Sequence, residues 1–326
     1  MTPDSPGYRL LAATGIDRGD RLYQQDQVEV FTHPRAEGCL LAVLADGMGG
    51  KSGGRKAADQ VVHTAQQLFD RYVPTKDDPA EILRQLVLES HLMIKLTAIT
   101  AEEEPHSTLA AFLVGPGLAG TVVHAGDSRV YHFRGADMVS RTLDNSYVQR
   151  LIDEGKITED EALEHPHKNL VLKVLNGSTQ HEPDLGWLDI QAGDRLMICS
   201  DGLCGLVTDA AMAPVLAAGN SRPQTIDALV EMAHAAGGYD NITIVLADVE
   251  VDGPIGTPEA FGAADNLGTG DICDDILDIW ADLQRGLLAY DAGDPIDAAW
   301  YWRLMYTHWS NHAVNALQAL RAASER

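Results

Sequence analysis

Leu41-Ala-Val-Leu-Ala45 runs without a break into Asp46-Gly-Met-Gly-Gly50. A short apolar run closed by turn residues reads as a buried strand that ends where the glycines begin. The pattern recurs. Val122-Val-His-Ala125 leads into Gly126-Asp-Ser-Arg129, and Leu196-Met-Ile-Cys-Ser200 into Asp201-Gly202. In the reverse sense, Gly237-Gly-Tyr-Asp-Asn241 opens onto the strand Ile242-Thr-Ile-Val-Leu246. A single Asp-Gly at a strand end is commonly a turn selected for backbone reasons. Four of them carry a further implication. Strands end at sheet rims, so Asp46, Asp127, Asp201 and Asp240 can converge from separate strands. Carboxylates gathered in a cleft of low dielectric repel one another strongly, and a multivalent cation relieves that repulsion. A donor set of oxygens, with neither Cys nor His, selects a hard ion such as Mg²⁺ or Mn²⁺. Gly47, lacking a side chain, lets its backbone carbonyl approach such an ion.

Outward from these ends, short strands alternate with helical stretches up to about residue 250. Strands are expected at 10–13, 27–31, 40–45, 108–114, 121–125, 130–133, 138–141, 184–190, 195–199 and 242–249. Apolar residues at three- and four-residue spacing predict helices over 57–72, 80–99, 146–154, 159–164, 209–216 and 224–236. The gaps between successive strands are short, which implies antiparallel pairing and α+β layers, not a doubly wound sheet. Beyond 250 the composition changes. Gly253, Pro254, Gly256, Pro258, Gly262, Gly268 and Gly270 mark a linker over 251–270. Residues 271–326 read as a helical hairpin, with an apolar face on Ile272, Ile276, Ile279, Leu283 and Leu287 and a cap at Asp294-Pro295. Trp280, Trp300, Trp302 and Trp309 fall on more than one face of it. The expected role of that aromatic surface is docking, either on the preceding domain or on a partner.

The 326 residues carry 24 Lys+Arg against 48 Asp+Glu, a formal net charge of −24. That balance excludes a role built on neutralising a phosphate backbone, so no nucleic-acid partner is expected. It also means that an anionic substrate needs recruited cations. No apolar run approaches the roughly 18 residues of a membrane span, and the N-terminus lacks the pattern of a secretory signal. Neither a membrane association nor export is expected. The four cysteines, Cys39, Cys199, Cys204 and Cys273, form no C-x-x-C pair. They read as reduced thiols of a cytoplasmic protein.

The ordered set of motifs resembles the metal-dependent, type 2C Ser/Thr protein phosphatases of the bacterial type. Arg21-Leu-Tyr-Gln-Gln-Asp26 is similar to the family's Arg-x-x-Asn-(Glu/Gln)-Asp. The Asp46–Gly50, Gly126–Arg129, Ser200–Gly202 and Asp240-Asn241 segments follow in the family's order. Thr142–Ser146 and His165-Pro-His-Lys-Asn169 resemble its flap. The resemblance covers about residues 8–250. It implies a four-layer α-β-β-α sandwich of two antiparallel sheets, with metals in a cleft at one end. It implies two ions, with a site for a third. Asp46 and the Gly47 carbonyl, Asp201 and Asp240 would hold the first two, and Asp127 with Asp201 the third. Asp26, Gln25 and Asn241 would stand behind these ligands. Arg21 would grip the substrate phosphate, since its planar fork can donate two hydrogen bonds to one phosphate. Water activated by the ions would then cut a phosphomonoester of a phosphorylated protein with no covalent intermediate.

The sequence also departs from the family. Gln24 replaces Asn, and Gln25 stands where many members have Glu, which implies weaker metal binding. Met48 replaces a His proposed elsewhere as general acid, so the leaving-group proton needs another source. Lys51 and Asn145 replace histidines. The competing reading of these departures is a catalytically dead phosphoprotein-binding scaffold on the same fold.

Overall fold

The computed structural model describes residues 7–100, 104–177 and 182–251. The expected linker, the helical segment 271–326 and its aromatic surface lie outside the described residues. In chain order the strands are β1 (Tyr8–Asp17), β2 (Gln27–Thr32), β3 (Leu40–Ala45), β4 (Gly47–Met48), β5 (His106–Ser107), β6 (Leu109–Val114), β7 (Ala119–Ala125), β8 (Arg129–Arg134), β9 (Asp137–Arg141), β10 (Asp184–Asp189), β11 (Asp194–Cys199) and β12 (Ile242–Val251). The α-helices are α1 (Gly50–Arg71), α2 (Pro79–Thr100), α3 (Tyr147–Asp153), α4 (Glu159–Leu163), α5 (Asp201–Cys204), α6 (Asp209–Ala217) and α7 (Arg222–Ala235).

Two five-stranded antiparallel sheets carry the fold, in the orders β1-β12-β11-β8-β9 and β10-β7-β6-β3-β2. The side-chain period of two explains how they stack. Along β3, Leu40, Ala42 and Leu44 point into a core shared with Phe112, Val130, Ile198 and Val245, so this layer lies between the sheets. Leu41, Val43 and Ala45 point the other way, onto Val61, Leu68 and Leu83 of α1 and α2. On the opposite sheet, Tyr131, Met197 and Leu246 meet Met212 and Leu229 of α6 and α7. Three apolar layers separate four layers of structure, so the expected α-β-β-α sandwich is observed. Burial on both faces is also why β3 reads as an unbroken apolar run instead of alternating with polar residues.

Helix α1 starts seven residues earlier than its apolar spacing suggests, at Gly50 instead of residue 57. Its first turns, Lys51-Ser-Gly-Gly54, read as loop because glycine disfavours helix. Gly54 is there for contact. A Cβ on it would lie 2.5 Å from the Gly47 carbonyl oxygen, and one on Gly47 would lie 2.1 Å from the Gly54 oxygen. The helix start and the turn after β3 therefore touch backbone to backbone, which fixes Asp46 against α1.

Candidate metal centre

Strands β3 and β7 run in the same direction, both paired antiparallel with β6. Asp46 and Asp127 therefore leave the sheet at one edge. Asp201 follows β11 as the first residue of α5. The three carboxylates each place an oxygen within 4.8 Å of the others. Sequence reasoning expected this convergence from separate strands.

Backbone contacts hold the three turns together. The Asp46 N–H donates to Thr108 Oγ1 at 3.0 Å, and the Thr108 N–H donates to the Asp46 carbonyl at 2.8 Å. Thr108 Oγ1 also lies 2.8 Å from Ser128 Oγ, beside Asp127. Ser200 Oγ donates to the Asn241 carbonyl at 3.2 Å and accepts from the Thr243 N–H at 3.0 Å. Gly202 lets this crossing close, since a Cβ there would lie 1.9 Å from the Asn241 oxygen. Thr108 and Thr243 were not read from the sequence as parts of the site, and Ser200 was read only as the start of the Ser200–Gly202 motif, with no role of its own. Their only local signal is a hydroxyl residue at or beside a strand end, a feature shared by many surface turns.

The electrostatics are those of acids without counter-ions. Burial, then the nearby Asp26, Asp201, Asp127 and Asp240, pushes Asp46 well above the ordinary carboxylate range. Burial and Asp201 do the same to Asp127. Burial and Asp240 raise Asp201 to about 6. Asp26 is buried and rises to about 7 through desolvation, although hydrogen bonds from Thr243 and Ser200 pull it down. Its Oδ2 accepts from Thr243 Oγ1 at 2.7 Å, and its carboxyl also meets that of Asp46. Among the described residues, no ion pair reaches Asp46, Asp127 or Asp201. The nearby cations are committed elsewhere, Arg21 to Asp240 and Arg129 to Asp144. Oxygen donors, close spacing and missing positive charge together fit hard divalent cations.

The remaining expected site residues are placed as follows. Asp240 stands beside the cluster, 2.5 Å from Arg21 Nη2. Arg21 is half exposed, and the Asp240 hydrogen bond raises its pKa. Asn241 clamps the Arg21 loop, donating from Nδ2 to the carbonyls of Arg18 and Tyr23 and accepting from the Gln25 N–H. Gln25 Nε2 donates to the Gly50 carbonyl at 2.7 Å. Gln24 folds back, with Oε1 accepting from the Asp26 N–H and Nε2 donating to the Asp17 carbonyl. Met48 pairs in register with His106 in the β4–β5 ribbon. Asn145 holds the flap to the Gly126 turn. Its Oδ1 accepts from the Gly126 N–H at 3.1 Å, and its own N–H donates to the Gly126 carbonyl at 2.7 Å.

A two-sheet sandwich with helices on both outer faces and a bare acidic centre at one edge defines a metal-dependent phosphatase scaffold. The family model of protein phosphatase 2C matches residues 17–232, and the chain belongs to that family. A second family model, a domain of unknown function (DUF5063), matches residues 258–325. The chain is 36% identical over 221 residues to the serine/threonine protein phosphatase PstP of Mycobacterium tuberculosis, covering 65% of this chain and 41% of PstP. The match thus spans about two fifths of that relative's length. It is 30% identical over 234 residues to the protein phosphatase PhpP of Streptococcus pneumoniae, covering 70% of this chain and 93% of PhpP. Among solved structures, the M. tuberculosis phosphatase PstP superposes with a TM-score of 0.67 at 34% identity, covering 74% of this chain and 99% of that one. The PstP catalytic domain in complex with two manganese ions superposes with a TM-score of 0.65 at 33% identity, again over 74% of this chain and 99% of that chain.

Proposed function

We propose that the chain is a protein serine/threonine phosphatase that hydrolyses phosphomonoesters with Mg²⁺ or Mn²⁺ at its acidic edge. The carrying observation is the convergence of Asp46, Asp127 and Asp201, whose carboxylate oxygens lie within 4.8 Å of one another and, among the described residues, in no ion pair. Asp46, the Gly47 carbonyl, Asp201 and Asp240 would hold two ions, and Asp127 with Asp201 a third. When bound, such ions polarise the phosphate and make a water nucleophilic near neutral pH.

The chain's own residues supply the rest. Asp26, buried and hydrogen-bonded to Thr243, braces the Asp46 carboxylate from behind. Asn241 fixes the loop that carries Arg21. The exposed part of the Arg21 guanidinium faces an incoming phosphate and can donate two hydrogen bonds to it. The chemistry needs no thiol nucleophile. Cys204 contacts Cys199 and is fully buried, and both features push its thiol well above the usual range. The relatives are bacterial, and among the described residues no helix is long and apolar enough to cross a membrane. We place the protein in the cytoplasm, acting on phosphorylated proteins. The aromatic segment beyond residue 271 would serve docking.

The test is turnover of p-nitrophenyl phosphate with Mn²⁺, before and after chelation. Turnover that stops with chelator and returns with Mn²⁺ is expected. Absence of metal-dependent turnover would move the reading to the dead scaffold, which nothing in the intact acidic edge favours.

A further inference from the structure

Hydrolysis of a phosphoserine releases an alkoxide, a poor leaving group that needs a proton as its bond to phosphorus breaks. Met48, two residues past Asp46, has none to give. Across the β4–β5 ribbon, however, Met48 pairs in antiparallel register with His106. Residues paired in this way carry their side chains on one face, with Cβ atoms roughly 5 Å apart. That face is the one turned toward the acidic edge. A Cβ on Gly47 would meet the backbone of Gly54 and Gln25, so position 47 faces them. The strand period of two turns Asp46 and Met48 the other way, and His106 with them. The ribbon is clamped to Asp46. The Ser107 hydroxyl donates to the Asp46 carbonyl at 3.2 Å, and the Thr108 N–H donates to it at 2.8 Å. The imidazole is oriented as well. His106 Nδ1 lies 2.7 Å from the Glu104 carbonyl. A carbonyl only accepts, so Nδ1 carries a hydrogen and Nε2 is the nitrogen left to take up and release a proton. The Glu104 carbonyl is itself seated on the turn after Met48, since a Cβ on Gly49 would lie 2.2 Å from it. The ring is half-buried and open to a substrate.

We propose that His106 is the catalytic acid that protonates the departing serine or threonine oxygen. The inference rests on the phosphatase reading above and adds the proton donor which that reading lacks. The oxygen of the attacking water forms the new bond to phosphorus, and its surplus proton passes to solvent. The bond between phosphorus and the serine Oγ breaks with its electron pair left on Oγ. Nε2 of the protonated His106 delivers the proton that makes this oxygen a hydroxyl, and solvent returns a proton to Nε2. Ester and water become alcohol and inorganic phosphate. Imidazole suits the task because it both holds and yields a proton near neutral pH.

The experiment measures kcat with saturating Mn²⁺ on p-nitrophenyl phosphate, phenyl phosphate and a phosphoserine peptide, whose leaving groups rise in basicity in that order. His106→Asn keeps a donor near the Glu104 carbonyl and removes Nε2. His106→Gln keeps a longer polar side chain that has no proton to transfer. In both variants the loss relative to the parent should grow along the series, from a small loss on p-nitrophenyl phosphate to about a hundredfold or more on the peptide. The ratio of peptide to p-nitrophenyl phosphate turnover, taken on one sample, does not depend on the fraction of the variant that is folded. An equal loss on all three substrates would mean that His106 only shapes the Asp46 turn, and would overturn the proposal, as would an undiminished rate on the peptide. Absence of metal-dependent p-nitrophenyl phosphate turnover in the unaltered protein would instead strike the phosphatase reading itself, so the two failures are distinguishable.

Discussion

Strand β11 has a buried or nearly buried aspartate at each end, and the two have opposite fates. Asp194, at its start, accepts from Arg134 Nε at 2.8 Å, from the Gln191 N–H at 2.7 Å and pairs with His132 Nε2 at 2.7 Å. Desolvation alone would raise its pKa, yet Arg134, His132 and the Gln191 amide outweigh it and hold the carboxyl below its ordinary range. Asp201, just past the other end, has acids for neighbours and rises to about 6. One end is completed by the chain, and the other waits for something the chain does not contain. A buried acid that the fold satisfies is a structural part. One that the fold leaves uncompensated points to a ligand.

That contrast is broken most sharply at Asp46. Asp46→Ala removes the acid common to the electrostatic neighbourhood of Asp26, Asp127 and Asp201. Activity should fall by about a thousandfold or more, as expected when several kcal/mol of transition-state stabilisation are lost. The metal-free variant should melt no lower than the parent, because a repulsive charge has gone. Activity above a tenth of the parent's, measured with Mn²⁺, would remove Asp46 from the centre. The matching change at the other end, Asp194→Ala, should leave metal-dependent turnover per folded molecule intact. It should cost about 1–3 kcal/mol of stability in denaturant unfolding, since it leaves His132 Nε2 and the Gln191 N–H without their acceptor, while the exposed Arg134 turns to water. A cost below about 1 kcal/mol would show that Asp194 is no better satisfied than Asp201.

The pH dependence of stability separates the two ends next. Asp26 and Asp201 have native pKa values of about 7 and about 6, above the unfolded value near 4. The native metal-free protein therefore binds more protons than the unfolded chain across that window, and its stability contribution from these groups declines as pH rises from about 4 to about 7. Asp194 has the opposite sign. Its contribution is present above the unfolded pKa and is lost as pH falls through the lowered native one. Mn²⁺ competes with protons only at the acidic edge. The gain in Tm on adding saturating Mn²⁺ should thus be several degrees larger at pH 8 than at pH 5.5, by thermal unfolding. A gain independent of pH would mean that the cluster's carboxylates do not take up the ion.

The strand ends were legible because each pairs an apolar run with an acidic turn, and this local signal survives without a partner. Asp46, Asp127 and Asp201 could be named on that basis. The layers were legible too, since residues buried on both faces read as unbroken apolar runs. What could not be read depends on contacts distant in sequence. The early start of α1 hides behind Gly54, whose reason is the Gly47 turn and not helix propensity. The four-residue α5 is too short to show a period. Thr108 is joined to Asp46 across 62 residues, and nothing in His106-Ser-Thr108 announces that link. The side-chain amide of Asn241 ties down the backbone of residues 18–25, a link across more than 200 residues that no local pattern announces.

The smallest expected effect falls at Asn145, which distinguishes holding the acidic edge from belonging to it. Its amide bridges Gly126, next to Asp127, to Asp184 on β10, with Nδ2 donating to Asp184 Oδ2 at 2.7 Å. Lys173 Nζ reaches the same carboxylate at 2.7 Å, so Asp184 keeps a partner when Asn145 is lost. Asn145→Ala should therefore cost about 1 kcal/mol of stability. Because the Gly126 N–H loses its side-chain acceptor, the turn carrying Asp127 should loosen while Asp46 stays held by Thr108. Activity with saturating Mn²⁺ should change by less than about threefold, while the Mn²⁺ concentration for half-maximal activity rises. If kcat collapses at saturating metal, Asn145 acts in the reaction and not through the placement of Asp127.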